Sequence, residues 1–481
     1  MDERFEEHLR HPRGRGFEPR DAHHGVAGGA ACGDLVRIAL RVEADRVVEA
    51  GFEASGCGAA SAAASAVVEL VAGAPLLDAA RVSPAGVAAE LGGLSPGKLH
   101  AADLAADALH VALGKAARAT APPPAPISAA APAPAGAPPP RVLVAMSGGV
   151  DSAVAALLCA RSGAEVVAVT LELWRDPEND GERSCCSASA VRVARGVAHR
   201  LGLPHLTIDL RDEFRAGVVE PYLADHAAGL TPNPCIRCNG HVRLDAMLDL
   251  ADRLGAKALA TGHYARVGDD GLLRPARDEA KDQTYMLAGL APSSVARLRF
   301  PLGDLKKPEV RALAQEAGIP VANKPDSQDL CFLAGTGRAA FLARHGGLRD
   351  REGDVLDGRG RRVGRHRGHH NFTVGQRKGL DLGGGSGEPL YVLSTDARAN
   401  TVTVGPREAL RTDRVRVRGV RLHRDEAAVE RVKLRYRSRA LPCRLSSGEI
   451  ELLEPFAGAA PGQTAVFLGA DDAVVGVGTI R

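Results

Sequence analysis

The stretch RVLVAMSGGVDS, at residues 141–152, decides the fold of the larger part of this chain. Its first six residues are mostly apolar and rich in Val, which is typical of a buried strand. The segment that follows, to Ala160, is rich in Ala, Val and Leu and predicts a helix that stops at Gly163. A strand, a Gly-rich turn and a helix in this order direct backbone N–H groups and a helix N-terminus at a phosphate.

The turn itself reads SGGVDS, and no GxxxxGK[ST] sequence of a Walker A loop is present. An ordinary glycine turn in an α/β protein is the simpler alternative, but it leaves the other matching residues unexplained. SGGxDS after a strand resembles the pyrophosphate loop of the N-type ATP pyrophosphatases. That resemblance implies ATP binding and the adenylation of a carbonyl or carboxylate, with release of pyrophosphate.

Length and composition bound the function. The chain has 481 residues, enough for about three domains, and its 45% hydrophobic and 25% charged residues are typical of a soluble globular protein. A net charge of +3 does not by itself indicate nucleic-acid binding. Arginines cluster at residues 359–367 and 411–424, so an RNA backbone is to be sought in the C-terminal third. The 3% of aromatic residues argues against a base-stacking RRM surface.

Targeting signals are absent from the sequence. The charged start MDERFEEHLR has no apolar core of a signal peptide, and no run of about 18 apolar residues predicts a membrane span. We therefore expect a cytoplasmic protein with no membrane partner. Nine cysteines, several of them clustered, then favour catalysis or metal binding over disulfides.

An Ala/Pro-rich segment, ATAPPPAPISAAAPAPAGAPPP at residues 119–140, predicts a semi-rigid linker. It separates residues 1–118, which we expect to form an independent α+β domain. Strands are predicted there at residues 35–42 and 46–54, and helices at 61–71 and 102–117. Cys32 and Cys57 lie beside glycines at strand ends, where a thiol can approach a metal closely.

The N-terminal domain, including HPRGRGFEPRDA near its start, resembles the NifU-like iron–sulfur scaffold family. In that family three cysteines and an Asp, with a nearby His, hold a nascent cluster. The matching residues here are Cys32, Asp34, Cys57 and His100, while the third family cysteine falls at Ala101. Two interpretations stay open: a sulfur or cluster donor with an incomplete ligand set, and a degenerate domain kept for docking.

Strand and helix patterns alternate over residues 141–335. Strands are predicted at residues 165–173, 205–210 and 257–261, and helices at residues 242–255 and 308–318. The last of these helices has Pro at its first position. The alternation predicts a doubly wound parallel sheet, so the fold class is α/β. Ligands in such sheets bind beyond the carboxyl ends of the strands, where the motif residues fall.

Cysteines mark a second chemical feature, TPNPCIRCN. Two X-Pro turns predict an extended loop, with a helix beginning just after Asn239. A thiol near a helix N-terminus and beside Arg237 has its thiolate favoured, so Cys238 is a candidate nucleophile. Cys235 and Cys238 form a CxxC, and Cys331 lies in a third loop. Zinc, an iron–sulfur site with an open position and a redox pair are all open interpretations, although zinc lacks a fourth ligand.

Together these motifs resemble the tRNA-specific 2-thiouridylases over residues 141–481. The resemblance rests on AMSGGVDS, CCSASAVRVARGVAHRLGLPH, TPNPCIRCN, ATGHYAR, KDQTYML, PLGDLKKPEVR, DSQDLCFL and FTVGQRKGL. It implies adenylation of the 2-carbonyl oxygen of a wobble uridine in tRNA, followed by replacement of that oxygen with sulfur. ATP and tRNA are then substrates, Mg²⁺ would act with Asp151 on the phosphates, and a cysteine desulfurase or sulfur-relay protein would donate sulfur.

The same resemblance assigns roles to individual residues. Cys238 would be the nucleophile and Cys331 the persulfide carrier. ATP would be bound by Ala145, Met146, Ser147, Gly148, Gly149, Val150, Asp151, Ser152, Leu171 and Gly262. The residues implied to contact tRNA are Asn233, Pro234, Cys235, His263, Lys281, Asp282, Gln283, Arg435, Tyr436 and Gln463.

Cys235 departs from the family, because many members carry Asp there. With Cys238 and Cys331 it gives three thiols, enough for an iron–sulfur cluster with one iron open to sulfide. The persulfide route needs only Cys238 and Cys331, and both routes stay open. The four cysteines at positions 159, 185, 186 and 443 receive no role.

The C-terminal part shows short alternating runs broken by Gly, Asp and Asn, an all-β pattern. The resemblance implies a central β domain at residues 336–408 and a six-stranded β-barrel at 409–481. Two rival functions are kept: an amidotransferase or ligase with a pyrophosphate loop, and a scaffold whose C-terminal part only binds RNA.

Overall fold

The structure is a computed structural model that describes residues 2–28, 33–119, 139–176, 188–326, 330–333, 335–380 and 389–481. Cys32, Cys185, Cys186 and most of the predicted linker lie outside these ranges. Within them, no helix is both long and apolar enough to cross a membrane.

The N-terminal unit is a three-stranded antiparallel sheet, in the order β1-β2-β3, covered by helices. The predicted strands and helices are all found. The Ala-rich helix α5 lies so close to the sheet that a Cβ on Gly25 would be 1.8 Å from the carbonyl oxygen of Ala108. The elements are α1 (Glu3–Arg10), β1 (His23–Gly28), β2 (Leu35–Glu43), β3 (Arg46–Ser55), α2 (Gly58–Val71), α3 (Leu76–Ala79), α4 (Pro84–Glu90) and α5 (Leu99–Ala119).

The second unit is built on a five-stranded parallel sheet in the order β10-β7-β4-β5-β6. Successive residues of its strands enter two separate hydrophobic clusters: Leu143 lies in one and Val144 in the other. Both faces are therefore covered, as the apolar strands predict. The first elements are β4 (Arg141–Ala145), α6 (Val150–Arg161), β5 (Glu165–Glu172), α7 (Ala188–Arg200), β6 (His205–Asp209), α8 (Arg211–Phe214), α9 (Glu220–Ala227), α10 (Pro234–Cys238) and α11 (Leu244–Arg253).

The remaining elements of this unit complete the open sheet and lead to the C-terminal part. Two π-helical turns, Arg215–Val219 and Asn239–Arg243, interrupt its helices. The helix predicted at residues 308–318 begins one residue before Pro308, which occupies its second position rather than its first. The elements are β7 (Ala258–Thr261), β8 (Arg266–Val267), β9 (Leu273–Arg274), α12 (Thr284–Leu287), α13 (Pro292–Ala296), β10 (Leu298–Arg299), α14 (Lys307–Glu316) and α15 (Arg338–Gly346).

The N-terminal unit packs directly on the second unit and is not separate from it. Helix α5 lies on β6, the edge strand, and a Cβ on Gly114 would be 1.8 Å from the carbonyl oxygen of Thr207. Asp107 of α5 pairs with Arg192 at 2.8 Å and with the buried Arg195. One hydrophobic cluster runs through both units. The expectation of an independent N-terminal domain is therefore corrected: the two units share a core.

Two β structures complete the chain, as expected, although α15 precedes them where only strands were anticipated. The central sheet has the order β12-β11-β14-β13, and the last six strands form a closed barrel in the order β15-β18-β17-β16-β19-β20. Their strands are β11 (Gly353–Leu356), β12 (Arg362–His366), β13 (Tyr391–Asp396), β14 (Thr401–Gly405), β15 (Arg411–Leu422), β16 (Arg431–Lys433), β17 (Leu441–Ser446), β18 (Glu449–Ala457), β19 (Thr464–Leu468) and β20 (Val474–Ile480).

Candidate active site

The SGGVDS turn joins β4 to α6 at the carboxyl edge of the sheet. Gly148 has a φ of +69°, which favours glycine, and Gly149 is the N-cap of α6. The Ser152 hydroxyl accepts a hydrogen bond from the Ser147 amide at 3.1 Å and donates one to the Gly149 carbonyl at 3.0 Å. The side chain thus holds the turn closed in front of the N-terminus of a three-turn helix, a geometry suited to phosphate.

Gly262 lies just beyond β7 and touches this turn. A Cβ at that position would be 2.6 Å from the Ser152 amide nitrogen and 2.7 Å from the Asp151 carbonyl carbon. Only a glycine lets the end of β7 approach the turn so closely. The structure therefore brings Gly262 and the SGGVDS residues together.

Asp151 is held by a network of charges that the sequence did not reveal. Its carboxylate lies 2.7 Å from the ammonium of Lys307 and accepts a hydrogen bond from the Tyr264 hydroxyl at 2.9 Å. Lys307 also contacts Asp326 at 2.8 Å, and Lys281 contacts Asp326 at 2.8 Å. Burial raises the pKa of Asp326, but these two lysines outweigh burial and hold it at about 2. Lys307 and Asp326 lie inside motifs quoted for the resemblance, which is the signal that could have found them.

A cavity of about 210 Å³ opens beside the turn. It brings the three loop cysteines together with four of the ten predicted nucleotide residues, while residues 148–152 and Gly262 do not line it. Much of the remaining wall is apolar, from residues such as Phe214, Val218 and Met247. The predicted site residues on its wall are Ala145, Met146, Ser147, Leu171, Pro234, Cys235, Cys238, His263, Gln283 and Cys331.

The helix that carries the CxxC begins earlier than expected. It starts at Pro234, and its N-cap Asn233 accepts a hydrogen bond from the Cys235 amide at 3.2 Å. The expected start after Asn239 is wrong, because an Asn cap followed by Pro is already a strong N-terminus. Cys238 consequently lies in the second turn of a helical run, not at its N-terminus.

The second reason for activating Cys238 also fails. Arg237 is exposed, its Nε donates to the Gly217 carbonyl at 2.7 Å, and it is not part of the cavity wall. Arg243, at the end of the π-helical turn that follows Cys238, lines the cavity instead. Sequence spacing did not single out Arg243, because the π turn that orients it is not readable from the sequence.

The residues implied to contact tRNA are distributed over two surfaces. His263 and Gln283 line the cavity; burial and the charge of Arg243 lower the pKa of His263 to about 3, so its imidazole is neutral at pH 7. Lys281 pairs with Asp326, and the Asp282 carboxylate accepts a hydrogen bond from the Ala276 amide at 3.1 Å.

The three residues of the C-terminal barrel that are implied to contact tRNA, Arg435, Tyr436 and Gln463, do not line the cavity. Gln463 donates to the Thr231 carbonyl at 2.8 Å, and the Tyr436 hydroxyl donates to the Asp282 carbonyl at 3.4 Å. Arg435 donates to the Gly458 carbonyl at 3.0 Å, within the barrel. Gln463 and Tyr436 thus fasten the barrel to the loops that form the cavity.

A second cluster of ligand-type side chains lies in the N-terminal unit. One ligand atom each from Asp34, Cys57 and His100 lie within 4.8 Å of one another. The Asp34 carboxylate is 3.1 Å from the Cys57 sulfur and 2.9 Å from His100 Nε2. Hydrogen bonds from the backbone and side chain of Cys57 and from His100 lower the pKa of Asp34. Gly56, at φ +113°, is needed here because its Cβ would be 2.0 Å from an Asp34 oxygen.

This cluster suits a transition metal, since thiolate, imidazole and carboxylate all ligate zinc and iron. Ala101 is fully buried in α5 and offers no further ligand. Three of the four residues predicted for the scaffold-type site are therefore brought together, and the fourth, Cys32, lies outside the described residues.

Comparison with known proteins divides the chain into four matched parts. The matching family profiles are described as NifU-like N terminal domain (residues 2–121), tRNA methyl transferase HUP domain (140–335), tRNA methyl transferase PRC-barrel domain (339–406) and Aminomethyltransferase beta-barrel domain (410–480).

Relatives match either the whole chain or its larger part. The bifunctional protein NifU/MnmA of Rubrobacter xylanophilus is 45% identical over 98% of this chain and 97% of its own length. The tRNA-specific 2-thiouridylase MnmA of Salinispora tropica is 45% identical over 71% of this chain and 98% of its own length. That of Methylorubrum extorquens is 44% identical over 71% of this chain and 93% of its own length.

Proposed function

The chain belongs to the tRNA-specific 2-thiouridylase family, in its bifunctional form with a NifU-like domain, and from this premise we propose that it converts a wobble uridine of tRNA to 2-thiouridine using ATP. One observation carries the proposal: Ser147, the first residue of the SGGVDS turn, lines the same cavity as three cysteines. An ATP-dependent ligase needs the turn but has no use for the three thiols.

The chemistry begins with activation of the base. The uridine must leave its stack to enter the cavity, whose apolar wall suits a base. Its 2-carbonyl oxygen attacks the α-phosphorus of ATP, a P–O bond forms, and pyrophosphate leaves. Sulfur then attacks C2, the C–O bond breaks, and AMP carries the oxygen away. Mg²⁺ favours carboxylate and phosphate oxygens and would neutralise phosphate charge. Asp151, whose carboxylate is paired with Lys307 in this structure, would hold it together with the phosphates once that pair opens.

Two sulfur routes use the cysteines differently. In the persulfide route the Cys238 thiolate attacks the inner sulfur of a Cys331 persulfide and releases hydrosulfide. The Cys238–Cys331 disulfide that remains is reopened by an external thiol reductant. In the cluster route Cys235, Cys238 and Cys331 would together hold an iron–sulfur cluster, which would supply an iron that binds sulfide. All three cysteines line one cavity, which supports either route.

We further propose that the N-terminal unit supplies sulfur or a cluster through Cys57 and its neighbours, having itself received sulfur from a cysteine desulfurase or sulfur-relay protein. Its fixed packing through α5 and β6 supports delivery within one chain. Because tRNA and ATP are cytoplasmic substrates, the reaction belongs in the cytoplasm.

The test is incubation of the full chain with tRNA, ATP, Mg²⁺, a cysteine desulfurase and cysteine, followed by nucleoside mass spectrometry. We expect 2-thiouridine, with AMP and pyrophosphate in equal amounts. Cys238→Ser should abolish the product, while Cys443→Ala, in the barrel core, is the matched control. Pyrophosphate release without 2-thiouridine would favour the rival amidotransferase or ligase, and no release would favour an RNA-binding scaffold.

Iron and acid-labile sulfide, measured on the anaerobically purified full chain, distinguish the two sulfur routes. Iron lost in Cys235→Ser would assign a cluster to the cavity, and iron lost in Cys57→Ser would assign it to the N-terminal unit. Thiolation by iron-free protein would establish the persulfide route.

A further inference from the structure

Arg243 carries the only full charge on the cavity wall among the described residues. Its neighbours on that wall are apolar or neutral polar side chains, the three thiols and His263, whose imidazole is neutral at pH 7. No Asp or Glu side chain among the described residues lines the space. Within the described part of the chain, Arg243 also makes no ion pair and no side-chain hydrogen bond.

Arg243 is partly buried, so its guanidinium has lost part of its hydration, and an anion in the cavity would offset that loss. Removing a guanidinium from bulk water carries a penalty that a partner of opposite charge offsets. The buried Arg195, by comparison, pairs with Asp107, and Arg344 pairs with the buried Asp176 at 2.7 Å. Arg243 is therefore available to bind an anionic group that enters the cavity.

The π-helical turn explains why Arg243 faces the cavity. In an α-helix, residues five apart lie roughly 140° apart around the axis, so Cys238 and Arg243 would project from different faces. The i→i+5 pattern of the turn Asn239–Arg243 places residues five apart nearly above one another. Cys238 and Arg243 consequently line the same space. Single π turns inside α-helices occur frequently at functional sites.

The nature of the anion follows from what else lines the cavity. Ala145, Met146 and Ser147, at the start of the pyrophosphate loop, share the wall with Arg243. A guanidinium matches phosphate oxygens with two parallel N–H donors. We infer that Arg243 is a catalytic residue that binds the α-phosphate of the nucleotide, facing the loop that holds the β- and γ-phosphates. This inference deepens the proposed function and rests on it for the identity of the nucleotide.

The role has a direct consequence for both chemical steps. Negative charge grows on the α-phosphate as the uridine oxygen attacks it, and it is carried away by AMP when sulfur displaces that group. A fixed guanidinium stabilises charge in both transition states without reorganising. Arg243 would thus act in adenylation and in departure of AMP.

The experiment compares wild type with Arg243→Gln, Arg243→Lys and the exposed control Arg237→Gln. Binding of adenosine, AMP and a non-hydrolysable ATP analogue to the full chain is measured by calorimetry without tRNA. We expect Arg243→Gln to weaken AMP and the ATP analogue about 10-fold or more, because a charge-assisted bond to phosphate is lost. Adenosine, which has no phosphate, should bind unchanged, and Arg243→Lys should restore part of the loss.

Several results would overturn the inference. One is an unchanged affinity of Arg243→Gln for AMP. A second is an equal loss for adenosine, which would mean a general change of the cavity. A third is weakened tRNA binding, measured in parallel, with nucleotide binding intact, which would assign the guanidinium to a tRNA phosphate. Because none of these measurements requires thiolation, a chain that binds AMP through Arg243 but makes no 2-thiouridine would refute the proposed function alone.

Discussion

The contact between Gly114 and Thr207 allows a direct test of whether the N-terminal unit packs on the second unit. Replacing Gly114 by Ala places a Cβ 1.8 Å from the Thr207 carbonyl oxygen, whereas real Cβ atoms essentially never come within 3.0 Å of a neighbour. The carbonyl oxygen of Thr207 belongs to the backbone of β6, which is paired with Thr170 of β5, so this oxygen cannot move away without disturbing the sheet. Helix α5 must therefore move by more than about 1 Å, and overpacking of that kind costs about 1–3 kcal/mol.

Helix propensity opposes this cost and must be subtracted. Alanine is favoured over glycine inside a helix by about 1 kcal/mol, so we expect a net loss of up to about 2 kcal/mol for Gly114→Ala. Gly196, on the exposed side of α7, is the matched control, because a Cβ added there would meet no atom within 4 Å. Gly196→Ala should therefore stabilise the chain by about 1 kcal/mol, from the same chemical change.

Urea unfolding measures both variants, followed by far-UV circular dichroism and by the fluorescence of Trp174, the single tryptophan of the chain. Hydrogen exchange of β6 adds a local reading, with protection lost in Gly114→Ala only. If Gly114→Ala stabilises the chain as much as Gly196→Ala does, α5 does not pack on β6 and the shared core is wrong.

Three further predictions concern titration, charge and thiol chemistry. Burial lowers the pKa of His199, at the interface of the two units, to about 4. The unfolded state therefore binds a proton at a higher pH than the folded state does. The free energy of unfolding is consequently unaffected by His199 above pH 6.5 and decreases as the pH falls towards 4. His199→Gln should show a flatter loss over that window in urea unfolding, and parallel curves would contradict the burial. Asp326→Asn removes the shared partner of Lys281 and Lys307. Lys307 keeps Asp151 and Lys281 is partly exposed, so the free energy of unfolding at pH 7 should fall by about 1 kcal/mol, with weakened ATP-analogue binding; unchanged unfolding would refute the network. Burial raises the pKa of Cys159 and Cys443 to about 11, so peptide-resolved alkylation at pH 7.5 should leave both unmodified while the exposed Cys57 reacts.

Much of the architecture could be predicted because its signals are local. The strand, turn and helix around SGGVDS follow from an apolar run, two glycines and an Ala-rich segment, and each appears where it was expected. The alternation after residue 141 likewise predicted the parallel sheet, and the short β runs predicted an all-β C-terminal part, whose closed barrel was implied by the family resemblance. Periodicity and turn residues encode such elements within a few residues of sequence.

The errors arose where orientation mattered more than element type. Arg237 adjoins Cys238 in sequence, yet it is Arg243 that lines the cavity. Helical rotation directs neighbouring side chains to different faces, and a π turn changes that rotation without a sequence signal. The start of α10 could have been predicted, because Asn233 and Pro234 form a recognisable cap.

The sequence by itself determined the elements, the pyrophosphate loop and the family, because these depend on residues that are neighbours along the chain. Only the tertiary structure decided which charges meet at Asp151, that three cysteines share one cavity, and that α5 of the N-terminal unit completes the core beside β6. Each of those contacts joins residues from distant parts of the chain. Their geometry is set by packing, which local sequence patterns do not encode.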